Sequence, residues 1–237
     1  MQLLVSVANA LEARRAVDGG ADLIDAKDPL NGALGAVPLA TLAQIHSAVG
    51  GQQVVTAALG DAGDEAAIER LAFEYGRIGV GFVKIGFAGV TDLDRVEQLI
   101  AAAVRGTRAT EHACGVVAVA YADTGGTTSV DATALVDVAA RAQATGVLLD
   151  TALKQGPGLR QLVAADRLEA WVTSAHRVGL TVALAGKLTL EDLSFVLDAG
   201  GDIAGVRGAA CEAGRWSCVV TENVRALKDR TCHALLS

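Results

Sequence analysis

Eight short aliphatic runs recur along the chain at an average spacing of about thirty residues, each followed by a polar or glycine-rich break and a helical pattern. They are Leu3 to Val7, Leu23 to Ala26, Val54 to Leu59, Phe82 to Ile85, Val116 to Tyr121, Val147 to Leu149, Thr181 to Ala185 and Ile203 to Val206. Runs that do not alternate have no polar face, so both faces must be covered, as crossover helices do for parallel strands. Eight such units in 237 residues predict an α/β fold, a single-domain (β/α)8 TIM barrel spanning residues 1–237. The competing doubly wound sheet lacks its usual support: no G-x-G-x-x-G follows the first strand and no P-loop is present.

Start and stop signals frame the helices. Asn9 with Glu12 reads as a capping box, Gly19-Gly20 stops that helix, Pro38 suits a first turn, and Thr91 with Asp94 opens another helix. The acidic pairs Asp61/Asp64 and Glu191/Asp192 read as caps. The segment Asp18-Gly19-Gly20-Ala21-Asp22 is echoed by Asp198-Ala199-Gly200-Gly201-Asp202, each at a helix-to-strand junction.

Charge narrows the partners. A net charge of -7 argues against nucleic acid or an anionic membrane, and no run of eighteen apolar residues spans a bilayer. The N-terminus carries no export pattern. The four cysteines form no CxxC pair and have no histidine at metal-ligand spacing, so reduced thiols, a cytoplasmic location and no metal are expected. Self-association into a homo-oligomer is expected from the fold alone. His46, His112, His176 and His233 lie on helices or the tail and are read as non-catalytic.

Lysine is scarce, five against fifteen arginines, and its placement is unusual. Lys228 sits on the last helix and reads as a solvated charge. The other four, Lys27, Lys84, Lys154 and Lys187, lie at the C-terminal ends of hydrophobic runs, where a (β/α)8 barrel gathers its catalytic groups. Lys27, Lys84 and Lys154 fall on strands two, four and six, which contribute to common layers. Asp25 shares a strand face with Lys27, Asp150 precedes Lys154 by four residues, and Asp123 ends strand five. A salt-bridge cluster that merely plugs the barrel is the alternative, but such a plug would favour the forked guanidinium. Amines crowded by other cations lose their protons more easily, and a neutral amine forms a Schiff base with a carbonyl. Glycine-bearing turns follow the strands at 31–35, 86–89, 124–128 and 156–158. After strands seven and eight, Gly186, Lys187, Arg207 and Gly208 occupy the usual phosphate site of the fold.

The segment Asp25-Ala26-Lys27-Asp28-Pro29-Leu30-Asn31-Gly32-Ala33-Leu34-Gly35 is more specific than a generic strand end. With Phe82-Val83-Lys84-Ile85-Gly86 and Leu149-Asp150-Thr151-Ala152-Leu153-Lys154, it resembles the (5-formylfuran-3-yl)methyl phosphate synthase family over nearly the whole chain. The resemblance implies a cofactor-free lyase of methanofuran biosynthesis that condenses two molecules of a phosphorylated triose, glyceraldehyde 3-phosphate, losing one phosphate and two waters. It also implies that Lys27 is the Schiff-base lysine and Lys84 the proton acceptor, with Lys154, Asp25 and Asp150 in support. A class I aldolase acting on a sugar phosphate and a non-catalytic barrel that binds phosphorylated metabolites are the alternatives.

Overall fold

The computed structural model describes residues 1–123 and 128–233. Its strands are β1 (Gln2–Val7), β2 (Leu23–Ala26), β3 (Val54–Asp61), β4 (Phe82–Gly86), β5 (Gly115–Tyr121), β6 (Gly146–Asp150), β7 (Thr181–Leu184) and β8 (Ile203–Val206). They pair in parallel in chain order, and β1 pairs with β8 to close the barrel. The expected (β/α)8 architecture is therefore the one observed, and each predicted run falls on its strand.

The intervening helices are α1 (Ala10–Asp18), α2 (Leu39–Val49), α3 (Glu65–Ile78), α4 (Leu93–Arg108), α5 (Ala132–Arg141), the short α6 (Leu159–Leu162), α7 (Ala165–Arg177), α8 (Leu193–Asp198) and α9 (Thr221–His233). A 3-10 turn, Gly208–Ala210, follows β8. Residues such as Leu3, Ile24, Val83 and Val147 face this helical layer and form the outer core. The other face of the same strands fills the barrel: Leu4, Leu23 and Ile203 close its floor, while Val119 and Leu148 cluster higher up with Leu34 from the loop after β2. Burial on both faces is why the runs do not alternate.

Several end signals act in ways local spacing does not show. Asn9 caps α1 by accepting from the Glu12 N–H, but the Glu12 carboxylate reaches past Asn9 to the Ala8 N–H. α4 is capped by Asp92, which accepts from the Arg95 N–H, rather than by Thr91 with Asp94. α2 begins one residue after Pro38. Asp64 caps α3 as expected, whereas Asp61 ends β3 and accepts from the Tyr121 hydroxyl and the Ala88 N–H. Asp192 accepts from Thr189 through both its N–H and its hydroxyl.

The echoed junctions do the same work at two places on the barrel floor. Asp22 accepts from the N–H of Leu3 on β1, and Asp202 from the N–H of Val182 on β7, each reaching the preceding strand. His176 pairs with Asp202 here, far in the fold from the strand C-termini. Lys228 is not a solvated charge: it is half-buried and bonds both oxygens of Asp22 at 2.7 Å. The expectation failed because Asp22 and Lys228 are distant in sequence and meet only through barrel closure. Among the described residues, no helix is long and apolar enough to cross a membrane.

Candidate active site

A cavity of about 480 Å³ opens at the C-terminal ends of the strands and runs down into the barrel. Asp25, Lys27, Lys84, Asp150 and Lys154 all line it, so the structure gathers every predicted catalytic residue in one place. Gly186, Lys187, Arg207 and Gly208 line its rim. Of the predicted glycine turns, the one at 124–128 lies outside the described residues apart from Thr128.

Register sets the first cluster. Ser6 on β1, Asp25 on β2 and Thr56 on β3 are level with one another, and inward parity aims all three at the axis. Ser6 Oγ donates to one oxygen of Asp25 and Thr56 Oγ1 to the other, both at 2.9 Å. Lys84 Nζ forms an ion pair with that carboxylate, and both side chains are almost wholly buried. Burial alone would raise the Asp25 carboxyl, but Lys84, Lys27 and the Thr56 hydroxyl outweigh it and hold the group below its ordinary value.

The second cluster is built on β6 and the turn after it. Lys154 folds back so that Nζ donates to Asp150 Oδ1 at 2.9 Å and to the Thr151 carbonyl. The turn is held by buried Asp123, whose two oxygens accept from the N–H groups of Ala152 and Leu153, each at 2.6 Å. Burial again works against the Asp150 carboxylate, and Lys154 followed by Lys27 brings it below its ordinary range.

Lys27 stands between the clusters, one residue beyond β2, and is 8% exposed. Burial drives its amine down from 10.5 to about 8; Asp150 and Asp25 oppose that shift, while Lys154 and Lys84 add to it. A buried amine at that value supplies an appreciable neutral fraction near neutral pH, which nucleophilic attack on a carbonyl requires.

The rim is less uniform. Gly186 takes φ +109°, a conformation reserved for glycine, and Lys187 follows at φ +59°, with its Nζ on the Gly156 carbonyl. The Arg207 guanidinium is already engaged. It meets Glu12 at 2.9 Å in a buried ion pair and also donates to the carbonyls of Ser6, Arg215 and Ser217. Among the described residues, no group of three His, Cys, Asp or Glu side chains is arranged to hold a metal ion.

A family model described as 4-HFC-P synthase matches residues 3–228. The chain belongs to the 4-HFC-P synthase family. It is 37% identical over 214 residues to the (5-formylfuran-3-yl)methyl phosphate synthase of Methanopyrus kandleri, covering 90% of each chain. To the synthase of that name from Methanosarcina barkeri it is 33% identical, covering 96% of this chain and 97% of the other. The resemblance seen in the lysine motifs thus holds across the sequence, and membership makes this chain an enzyme.

Solved structures share the barrel at low identity. Phosphoribosyl anthranilate isomerase from Thermotoga maritima superposes with a TM-score of 0.68 at 10% identity, covering 98% of both chains. 3-Hexulose-6-phosphate synthase does so at 0.60 and 18%, covering 96% of this chain and 99% of that one. Such likeness establishes the fold alone.

Sequence reasoning missed four groups in this chain. Ser6 and Thr56 carry a detectable signal, since each is a polar residue at inward parity in an aliphatic run. Tyr121 donates to Asp61 at 2.6 Å, and burial together with Asp61 pushes its proton loss well above the ordinary range. Arg215 lines the cavity from an irregular stretch after β8, where no periodicity marks it.

Proposed function

We propose that this enzyme is a lyase that condenses two molecules of glyceraldehyde 3-phosphate into (5-formylfuran-3-yl)methyl phosphate through an imine at Lys27, in methanofuran biosynthesis. The observation that carries the reading is Lys27 itself: a buried amine with its value lowered to about 8, flanked by two Lys–Asp ion pairs inside a cavity. The names of the relatives support the product, and the lysine motifs support the route.

The neutral Lys27 amine adds to the carbonyl of one triose phosphate, and loss of water gives an iminium. The iminium withdraws electrons from the adjacent carbon, so a proton leaves there and an enamine forms. The Lys84–Asp25 pair takes that proton. The enamine carbon attacks the aldehyde of the second triose, forming the carbon–carbon bond, and the new alkoxide takes a proton from the Lys154–Asp150 pair. Ring closure and eliminations then expel one phosphate and two waters. The water released on forming the iminium returns when hydrolysis frees Lys27. Two trioses minus phosphoric acid and two waters leave the atoms of the product, with no change in oxidation state overall and no external redox partner.

Gly186, Lys187 and Gly208 border the opening through which both phosphorylated substrates enter, and Arg207 serves that site by bracing the backbone beside it. Incubation with glyceraldehyde 3-phosphate alone, followed by mass spectrometry and near-ultraviolet absorbance, tests the reading. A phosphorylated furan aldehyde is expected. A six-carbon aldol product without near-ultraviolet absorbance would overturn it.

A further inference from the structure

Resting on that reading, we propose that Arg215 is the cation that receives the phosphoryl group of the triose held at Lys27, and that the loop following Lys27 holds it in place. Four other cations of the cavity are already engaged. Lys84 and Lys154 are ion-paired with Asp25 and Asp150. Lys187 reaches the Gly156 carbonyl, and all three nitrogens of Arg207 are engaged by Glu12 and backbone carbonyls. Arg215 differs. Its Nη2 donates to two neutral carbonyls, Pro29 O at 3.1 Å and Gly32 O at 3.3 Å. Its Nε is buried and finds no hydrogen-bond partner among the described residues.

A buried, unused guanidinium N–H beside a cavity is costly unless something accepts from it. Phosphomonoester oxygens suit a planar fork of donors better than any neutral acceptor does. Arg215 also borders that cavity with Asp150 and Arg207 in its electrostatic reach, so it looks onto the same chamber as the lysines.

Its two carbonyl partners fix the group in place. Asp28 closes the 28–32 loop on itself, accepting from the Leu30 N–H at 2.9 Å and from Asn31 Nδ2 at 2.6 Å. The carbonyls of Pro29 and Gly32 are left to meet Arg215, two and five residues beyond Lys27. The most specific stretch of the sequence, Asp28-Pro29-Leu30-Asn31-Gly32, thereby holds the phosphate cation. Arg207 anchors the far side, since its Nε holds the Arg215 carbonyl at 2.8 Å.

Borohydride trapping tests the assignment, read by mass spectrometry at Lys27 with glyceraldehyde 3-phosphate and with unphosphorylated glyceraldehyde. In Arg215→Ala the half-saturating concentration of the phosphate ester is expected to rise at least about tenfold, the cost of a lost charged hydrogen bond, while that of glyceraldehyde moves less than about twofold. Arg215→Lys, which keeps a cation, should fall between Arg215→Ala and the wild type and covers the case in which the alanine variant does not fold. Equal shifts for both compounds, or none for either, would overturn the assignment. If the wild type traps neither compound, the imine reading fails by itself. Calorimetry with inorganic phosphate then judges Arg215: weaker binding in the variants upholds the assignment, and unchanged binding overturns it.

Discussion

Lys84 on β4 forms its ion pair with Asp25 on β2, reaching across the strand that separates them. Both side chains are almost wholly buried, so removing one partner strands the other charge. Lys84→Met is expected to cost about 3 kcal/mol, the low end for a broken buried pair, because Ser6, Thr56 and Lys27 still face Asp25. That corresponds to a fall in Tm of roughly 6–12 °C for a chain of this size. Adding Asp25→Asn should recover part of the loss; urea melts of the single and double variants check this. Asp25 and Asp150 both titrate below the ordinary carboxyl value of 3.8. Their contribution to stability is therefore complete above that value and is lost as pH falls from it toward the lowered values.

The Lys27 amine sits at about 8 rather than 10.5. Its neutral fraction grows about tenfold per pH unit below 8, so the trapping rate at Lys27 should climb with that slope and level off above it. Because the fold favours the neutral amine, this group adds stability as pH rises from about 8 toward 10.5. Asp150→Asn removes the charge that most strongly raises Lys27 and should move the rate limb to lower pH, while Lys154→Met should move it higher. Shifts in the same direction would contradict this electrostatic account.

Asp123→Ala strands the N–H groups of Ala152 and Leu153 and releases the turn that carries Lys154. A loss of about 1–3 kcal/mol per stranded donor is expected in urea melts. Turnover should fall more than trapping at Lys27, because the primary defect lies at Lys154. Asp123→Asn, which keeps one acceptor oxygen, should be intermediate in both measurements.

Asp22→Ala separates stability from catalysis. It removes the acceptor for the Leu3 N–H and the partner of Lys228, both on the barrel floor, and should cost about 1–3 kcal/mol. Turnover per folded molecule should match the wild type, since none of these groups reaches the cavity mouth. Asp202→Ala, at the echoed junction, should behave alike.

Features that depend on a few neighbouring residues were legible in the sequence. The strands announced themselves through aliphatic runs, and Asp25 and Lys27 revealed their shared face by a spacing of two. Asp150 and Lys154 also meet, though by a turn that folds the lysine back rather than by continued strand parity. What local spacing hides is whatever barrel closure decides. Arg207 lines the cavity, yet its ion pair with Glu12, 195 residues earlier, is invisible to spacing. Asp61 has the spacing of a cap and instead serves Tyr121, two strands away. Arg215 lies in an irregular segment, where no period tells which way a side chain points.

The pairing of β1 with β8 has a consequence for synthesis. While the chain is being made, β1 presents a bare edge, and Glu12 waits for a guanidinium that has not yet been translated. Only when residues 203–207 leave the ribosome can that edge be sealed and the carboxylate neutralised. Segments released earlier are thus the ones most exposed to mispairing, and the first strand of this enzyme is among the last to be completed.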